Sequence, residues 1–262
     1  VAFWALDGLV QLGFGRDIFG MPYNGERVGA YWLNQYKFGY YMGFYGLFAV
    51  TAFAVCYPRR PLVLIGLWIV VALGVLICGN REAWIMFFLF SGVLFWVHIA
   101  SLSRYRWLWL MAGAALIVLL MLGAYEISDT VRDRIGQSLS GLQWSYESID
   151  RASSSRLELW RIAVEMIQAH PLNGQGLNAY QSLFTSLVQQ PAWVSQHMTE
   201  GPFPHQLLLE VGAATGILGW LGLVVIVIVV RRAWLQASKE QRALAWPALI
   251  YLMALWFPLN TH

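Results

Sequence analysis

Three segments of the sequence place a basic or titratable side chain at a predicted helix start. They are the turn "CGNREAW" with Arg81, the stretch "SSSRLELWRIAVEMIQAHPLNGQG" with Arg156, and "FPHQLLLEVGAATGILGW" with His205. Helix N-termini offer unpaired N–H groups and a positive dipole end. A guanidinium group adds a planar pair of donors for phosphate oxygens, and an imidazole can accept a proton near neutral pH. Together these features predict chemistry on a phosphate ester or pyrophosphate, with a base nearby.

Both arginines are predicted to be the first residue of their helix. Asn80 is a good N-cap for the helix that begins at Arg81. Ser155 and Glu158 have the spacing of a capping box around Arg156, and the His-Pro pair and Asn-Gly-Gln-Gly turn are predicted to end that helix. The simpler alternatives are an interfacial anchor at Arg81 and a solvated surface arginine at Arg156.

His205 is predicted to begin a membrane span at the mouth of a seam between two helices. One face of that span would carry His205, Leu209, Gly212, Gly216 and Gly219. The Gly212-xxx-Gly216 spacing lets a second helix approach closely along this face. The histidine could then act as a base, orient a substrate hydroxyl, or merely start the helix at the water interface. Glu210 fits a functional carboxylate and a structural hydrogen bond equally well.

The composition predicts an integral membrane protein of the all-α class. Of its 262 residues, 58% are hydrophobic and 12% are charged, whereas soluble domains carry about 25% charged residues. No ten-residue alternation supports a barrel. We expect a polytopic bundle of about six transmembrane helices, each near the length needed to cross a bilayer. The predicted spans are Tyr31–Val55, Pro61–Cys78, Trp84–Ala100, Trp107–Tyr125, His205–Val230 and Leu244–Leu259.

Between the fourth and fifth spans lies a long polar loop, Glu126–Pro204, which we expect to be partly helical and functional. Val1–Ala30 is predicted to be an interfacial loop. The basic residues of the short connections fall in alternate connections, which the positive-inside rule places in the cytoplasm. They are Arg59, Arg60, Arg104, Arg106, Arg231, Arg232, Lys239 and Arg242. The long loop and the three helix starts are therefore predicted to face the opposite side.

The chain is interpreted as one membrane domain, 1–262, from the middle of a longer protein. Further spans are expected before it, and the sequence leaves open whether spans also follow. Cys56 and Cys78 fall at opposite ends of consecutive spans, which disfavours a disulfide. No metal-ligand spacing, cofactor motif or nucleic-acid-binding basic cluster is evident. The span centres are nearly free of charge, which argues against a transporter, and a scaffold would not need this set of helix starts.

These same segments resemble the O-antigen ligase and polymerase superfamily. The resemblance rests on "ALDGLVQ" with "RVG", on "NREAW", on "SRLELWRIAVEMIQAHPLNGQG" and on "PHQLLLEVGAATGILGW", and "FPLNTH" resembles a further stretch of the ligases. It spans nearly the whole chain and favours an O-antigen ligase. It implies a metal-independent glycosyltransferase on the periplasmic face of the bacterial inner membrane. The implied donor is a polysaccharide on undecaprenyl pyrophosphate, and the acceptor is a sugar hydroxyl of the lipid A core.

By the same resemblance, Arg81 and Arg156 match the pyrophosphate-contacting arginines, and His205 matches the essential histidine. Arg27 occupies the position of a substrate-binding arginine in an outer loop. Where the family has a serine before the first arginine, this chain has Asn80, which can serve the same capping role. The arginines would neutralise the leaving pyrophosphate and His205 would accept the acceptor's proton, with inversion at the anomeric carbon. A polymerase or a protein-glycosylating relative would use the same donor.

Overall fold

The computed structural model describes residues 1–23, 25, 28–30, 35–100, 105–153, 156–187 and 203–256. Within these ranges the protein is built from α-helices and one 3₁₀ turn (Gly141–Gln143), with no β-strand, which confirms the all-α class. The helices are α1 (Ala2–Phe14), α2 (Gln35–Cys56), α3 (Pro61–Ile77), α4 (Arg81–Ala100), α5 (Arg106–Ile127), α6 (Asp129–Ser140), α7 (Tyr146–Ala152), α8 (Arg156–Ala169), α9 (Ala179–Leu187), α10 (Leu207–Gln236) and α11 (Lys239–Leu255).

Helices occur at all six predicted spans. Among the described residues, three stretches are long and apolar enough to cross a bilayer, namely Lys37–Cys56 in α2, Leu110–Ile127 in α5 and Leu207–Gln236, which is α10. The apolar helices α1 and α3 are shorter. The long loop of the sequence holds α6 to α9, so the expectation of a partly helical loop is confirmed.

The chain divides into two compact units. The first comprises Val1–Gly136 and Lys239–Leu255, and the second comprises Gln137–Ser238 and Trp256–His262. Arg81 therefore belongs to the first unit, and Arg156 and His205 belong to the second.

In the first unit, α1 corrects part of the prediction that Val1–Ala30 is an interfacial loop, because Ala2–Phe14 is helical. This helix runs parallel to α3, because a Cβ added at Gly74 would lie 2.9 Å from the Cβ of Ala5, and one added at Gly8 would lie 3.3 Å from the Cδ1 of Ile77. Asp7 in α1 is fully buried. Glycines, a proline and charged residues are frequent across Val1–Ala30, which is typical of a loop, but within α1 the polar Asp7 and Gln11 face inward.

Those polar residues of α1 hold the following loop in place. Gln11 Oε1 accepts hydrogen bonds from the backbone N–H groups of Gly29 and Ala30, at 2.9 and 2.8 Å. Asp7 Oδ1 accepts one from Ile18 N at 2.8 Å. The segments "ALDGLVQ" and "RVG" are thus joined directly in the fold. Arg27 itself lies outside the described residues.

Two glycines of α2 allow this helix to pack closely against the turn that precedes Arg81. A Cβ at Gly39 would lie 2.8 Å from the Cβ of Asn80, and one at Gly43 would lie 3.0 Å from the Cβ of Ala83. Gly39 and Gly43 are four residues apart and lie on one face of α2. The helix α2 and the start of α4 therefore approach closely, and neither helix is interrupted.

The second unit has its core where α8, α9 and α10 meet. Its buried side chains are Leu159, Ile162, Ala163, Met166, Tyr180, Phe184 and Ala213. Tyr180 donates a hydrogen bond to the carbonyl of Leu159 at 2.7 Å. Arg161 also links α8 to α9, because it donates to the carbonyl of Leu187 at 2.9 Å. These contacts fix the axis of the helix that begins at Arg156.

Candidate active site

Arg81 is the first residue of α4, as predicted. The Asn80 side chain caps this helix, since its Oδ1 accepts from the N–H groups of Glu82 and Ala83 at 3.1 and 3.3 Å. The indole of Trp84 donates to the carbonyl of Val75 at 2.8 Å and so ties the first turn of α4 to the end of α3. The half-buried Arg81 therefore starts from a firmly held backbone.

Arg156 is the first residue of α8, again as predicted. The caps found there come from further upstream than the sequence suggested. Ser153 Oγ accepts from Arg156 N at 3.4 Å, and Asp150 Oδ1, on the preceding α7, accepts from Leu157 N at 3.1 Å. Ser155 lies outside the described residues, so the capping box itself stays a prediction.

The first three turns of α8 carry a network of charges. Glu158 accepts two hydrogen bonds from Arg161, at 2.9 and 2.7 Å, and Glu165 pairs with the same guanidinium. These carboxylates raise the pKa of Arg161 above its usual range. Burial raises the pKa of the Asp150 carboxyl; the N–H of Leu157 opposes this shift and the Glu158 charge adds to it. Glu158 and Arg161, two residues of α8 near Arg156, thus help to hold this helix in position.

The prediction that unpaired N–H groups at these helix starts bind an anion does not apply to every such group. Side chains of the protein already accept from five first-turn N–H groups, those of Glu82, Ala83, Arg156, Leu157 and Leu209. These groups are therefore not open donors. The helix dipoles remain favourable for an anion, and anion binding by the guanidinium groups and the other first-turn N–H groups stays a prediction.

His205 does not begin a helix, contrary to the prediction. The helix α10 starts at Leu207, and Gln206 is its N-cap, whose Oε1 accepts from Leu209 N. His205 has φ of 50°, in the left-handed region that residues with a Cβ rarely occupy. A glutamine side chain that reaches the third helical N–H displaces the helix start by two residues. Residues with a Cβ in this left-handed region cluster at functional sites, which is consistent with a functional role for His205.

The side chain of Trp160 connects the residue before His205 to the helix that carries Arg156. The indole N–H of Trp160 donates to the carbonyl of Pro204 at 3.0 Å. Trp160 lies four residues after Arg156, on the same face of α8. The half-buried Arg156 and His205 are thus linked within the second unit through Trp160 and the Pro204 carbonyl, although they are 49 positions apart in the sequence.

The helix α10 is broken at Gly216, which has φ of 62° and ψ of −150°. The turn that follows α8 fills this break. The N–H groups of Gln175 and Gly176 donate to the carbonyls of Ala213 and Ala214, at 2.8 and 3.0 Å, and the N–H groups of Ile217 and Leu218 donate to the carbonyls of Pro171 and Leu172, at 2.9 and 3.4 Å. The backbone groups exposed by the break are thereby satisfied.

This break corrects the predicted face that would run from His205 to Gly219. Only part of the seam exists as expected: a Cβ at Gly212 would lie 2.8 Å from Ile167 of α8. Beyond Gly216 the chain folds back, since the indole of Trp220 donates to the carbonyl of Leu208 at 2.8 Å. In a continuous helix these residues would lie about 18 Å apart.

The sequence contains a signal for this joint that periodicity does not reveal. From the sequence alone, the Asn-Gly-Gln-Gly turn predicts only the end of α8, and Gly216 predicts only a contact with another helix. A Cβ at Gly174 would collide with the backbone of Ala214 and Thr215, and one at Gly216 would lie 2.6 Å from the carbonyl oxygens of Pro171 and Leu172. Gly174 and Gly216, one in each motif, are thus both required because the turn after α8 and the break in α10 lie so close together.

The described residues hold no group of three or more histidine, cysteine, aspartate or glutamate side chains suited to a metal ion. A sequence model of the O-antigen ligase family matches residues 65–224, which are 160 of the 262 residues. This range contains Arg81, Arg156 and His205, together with the broken helix and the turn that fills it. No curated protein matches the chain, and no solved structure matches it.

Proposed function

Because the chain belongs to the O-antigen ligase family, we propose that this membrane protein transfers a polysaccharide from undecaprenyl pyrophosphate to a sugar hydroxyl of the lipid A core. The family supports a ligase- or polymerase-type function in O-antigen assembly. The specific donor and acceptor belong to the proposal. No metal ion or cofactor takes part in it.

The observation that supports this proposal is the hydrogen bond between the helix that begins at Arg156 and the residue before His205. A guanidinium group suited to pyrophosphate begins α8, and one turn later Trp160 binds the backbone next to an imidazole. A phosphate-binding group and a proton acceptor are what a glycosyl transfer from a pyrophosphate requires in one place.

In the proposed reaction the acceptor oxygen attacks the anomeric carbon of the donor sugar, and the bond from that carbon to the pyrophosphate oxygen breaks. The bonding pair leaves with the pyrophosphate, whose growing charge Arg156 stabilises. The proton of the acceptor hydroxyl passes to His205. Attack opposite the leaving group inverts the anomeric carbon. Arg81 and Arg27 keep the donor-binding roles that the family resemblance gives them.

We further propose that the reaction takes place on the periplasmic face of the bacterial inner membrane. This orientation rests on the basic connections of the sequence. A cysteine at Asp133, in a chain whose exposed Cys56 is replaced by serine, should react with an impermeant thiol reagent in intact spheroplasts. A cysteine at Gln236 should react only after lysis. The reverse pattern would overturn the orientation.

Gene deletion with complementation tests the activity. We expect deletion to leave lipid A core without a ladder on a lipopolysaccharide gel, and the wild-type gene to restore the ladder. His205→Asn should fail to restore it, whereas His170→Asn, an exposed histidine of the same unit, should succeed. If deletion instead leaves core with one repeat, the protein is a polymerase. A ladder unaffected by deletion would contradict both assignments.

A transfer assay with purified protein tests the role of His205. Asparagine keeps hydrogen-bonding capacity but cannot take the proton, and loss of a general base costs about 10²–10⁴-fold in rate. We expect His205→Asn to bind the donor lipid normally and to lose transfer by that factor. Transfer at the wild-type rate would remove His205 from the reaction.

A further inference from the structure

We propose that Trp160 is a positioning residue that holds His205 in place for the reaction. The hydrogen bond from its indole to the Pro204 carbonyl joins residues that are 44 positions apart in the sequence. The carbonyl it binds belongs to the peptide group that links Pro204 to His205. Any movement of the indole is therefore transmitted to the histidine backbone through one rigid peptide plane.

The backbone around His205 has little freedom to compensate. Pro204 has its own φ fixed near −65° by its ring. On the other side Gln206, with φ of −157° and ψ of 113°, is held by its cap to Leu209 N. His205 thus lies between two anchored residues, and the indole hydrogen bond supplies the anchor that comes from α8.

The opposite end of the same helix pair is also fixed. The turn after α8 makes four backbone hydrogen bonds across the break at Gly216, and Ile167 packs on Gly212 between the two ends. With both ends attached, α8 and the first segment of α10 form one framework. We infer that Arg156 and His205 are aligned before substrate binds, with Trp160 at the end nearest the chemistry.

A double-mutant cycle tests this role, which rests on the proposed transfer reaction. Trp160→Phe keeps an aromatic ring but removes the N–H, and misplacement of a reacting group by about 1 Å can cost up to 10²-fold in rate. We expect kcat to fall roughly ten- to hundredfold, with the KM for donor unchanged. In a His205→Asn background the same change should have almost no further effect, because the misplaced group is already absent.

Tyr180→Phe is the matched control. It also removes a single hydrogen bond to a carbonyl, that of Leu159 in α8, but its partner is not next to His205. This variant should lose comparable thermal stability while keeping near-normal kcat. Equal losses of kcat in Tyr180→Phe and Trp160→Phe, or equal losses from Trp160→Phe in both histidine backgrounds, would overturn the proposal. The cycle is repeated with Trp160→Met, which fills the space without an N–H.

A second measurement does not depend on the transfer reaction. The imidazole NMR signal that disappears in His205→Asn identifies His205 among the five histidines. We expect Trp160→Phe to shift this signal and Tyr180→Phe to leave it unchanged. An unshifted signal in Trp160→Phe overturns the positioning role even if the wild-type protein transfers glycan. A shifted signal in a protein without transfer activity retains the positioning role and instead contradicts the proposed function.

Discussion

The two units of the protein use glycine pairs of identical spacing in opposite ways. In the first unit, Gly39 and Gly43 let α2 lie against Asn80 and Ala83 while both helices continue without interruption. In the second unit, Gly212 and Gly216 have the same spacing, but Gly216 breaks α10 and admits the turn after α8.

The difference lies in what meets the glycine. At Gly43 the neighbour is a side chain and backbone of another helix, so a shallow contact is enough. At Gly216 the neighbours are carbonyl groups that need hydrogen-bond donors, and only a break in the helix exposes such donors. Identical spacing in the sequence can therefore produce either a smooth seam or a joint, depending on whether a turn with its own unsatisfied groups is available.

The largest expected effect is that of Gly216→Ala. Alanine at φ 62° and ψ −150° costs about 1–3 kcal/mol in backbone strain, and its Cβ would also collide with Pro171 and Leu172. We expect the variant to fail to accumulate in membranes. Gly43→Ala in the first unit should be milder, because overpacking typically costs about 1–3 kcal/mol without any forbidden backbone angle.

The matched control for that comparison is Gly222→Ala, later in α10, where an added Cβ would meet nothing within 4 Å. It should accumulate normally and melt at or slightly above the wild-type temperature, since alanine favours a helix. Membrane yield and fluorescence-detected melting in detergent measure all three variants. Normal yield and melting of Gly216→Ala would mean that α10 is continuous at this position.

The next effect in size concerns the two arginines, one in each unit. Lysine keeps the charge but not the paired donor geometry, and hydrogen bonds to charged groups contribute about 1.5–3 kcal/mol, or roughly 10–100-fold in rate. Arg81→Lys and Arg156→Lys should each lose most transfer activity at normal protein levels. Arg59→Lys, an exposed arginine of a basic connection, should keep full activity. If one lysine variant were fully active, its arginine would be only an anchor.

The sequence was sufficient to predict features that depend on near neighbours. Asn80 caps α4 from one residue before Arg81, and α8 begins at Arg156 and ends at the predicted turn. The all-α class and the helices of the predicted spans also follow from composition and hydropathy. In each case the deciding interaction lies within about one turn of the residue concerned.

Features that depend on distant partners could not be predicted in the same way. The sequence predicts a helix start at His205, but Gln206 caps the helix, and the hydrogen bond from Trp160 to the residue before His205 spans 44 positions. The break at Gly216 requires the turn after α8, and α1 buries Asp7 to hold Ile18. Periodicity reports which faces are apolar, but it does not report which backbone groups will find partners elsewhere.

A smaller effect is expected at the cap of α4. Asn80→Ala removes the acceptor for two N–H groups and should cost about 1 kcal/mol. Asn80→Ser, which introduces the residue that the family resemblance places here, should restore most of this stability and leave transfer unaffected. Thermal melting of the two variants against wild type measures the difference. Equal melting temperatures of Asn80→Ala and wild type would show that packing against Gly39 and Gly43 of α2, and not the cap, holds this turn.

The smallest expected effect is at the cap of α8, where the Asp150 carboxylate accepts a backbone hydrogen bond as the Asn80 amide does in α4. Burial raises the pKa of Asp150 in the folded protein. A raised pKa means that the folded state favours the protonated form, so the stability contributed by this group is present at low pH and is lost as pH rises through the folded-state value.

Asp150→Asn keeps an oxygen that can accept from Leu157 N but carries no charge. We therefore expect the variant to melt slightly above wild type at pH 7 and close to wild type near pH 4. A variant that melts below wild type at pH 7 would show that the attraction between the carboxylate and the helix dipole outweighs its burial.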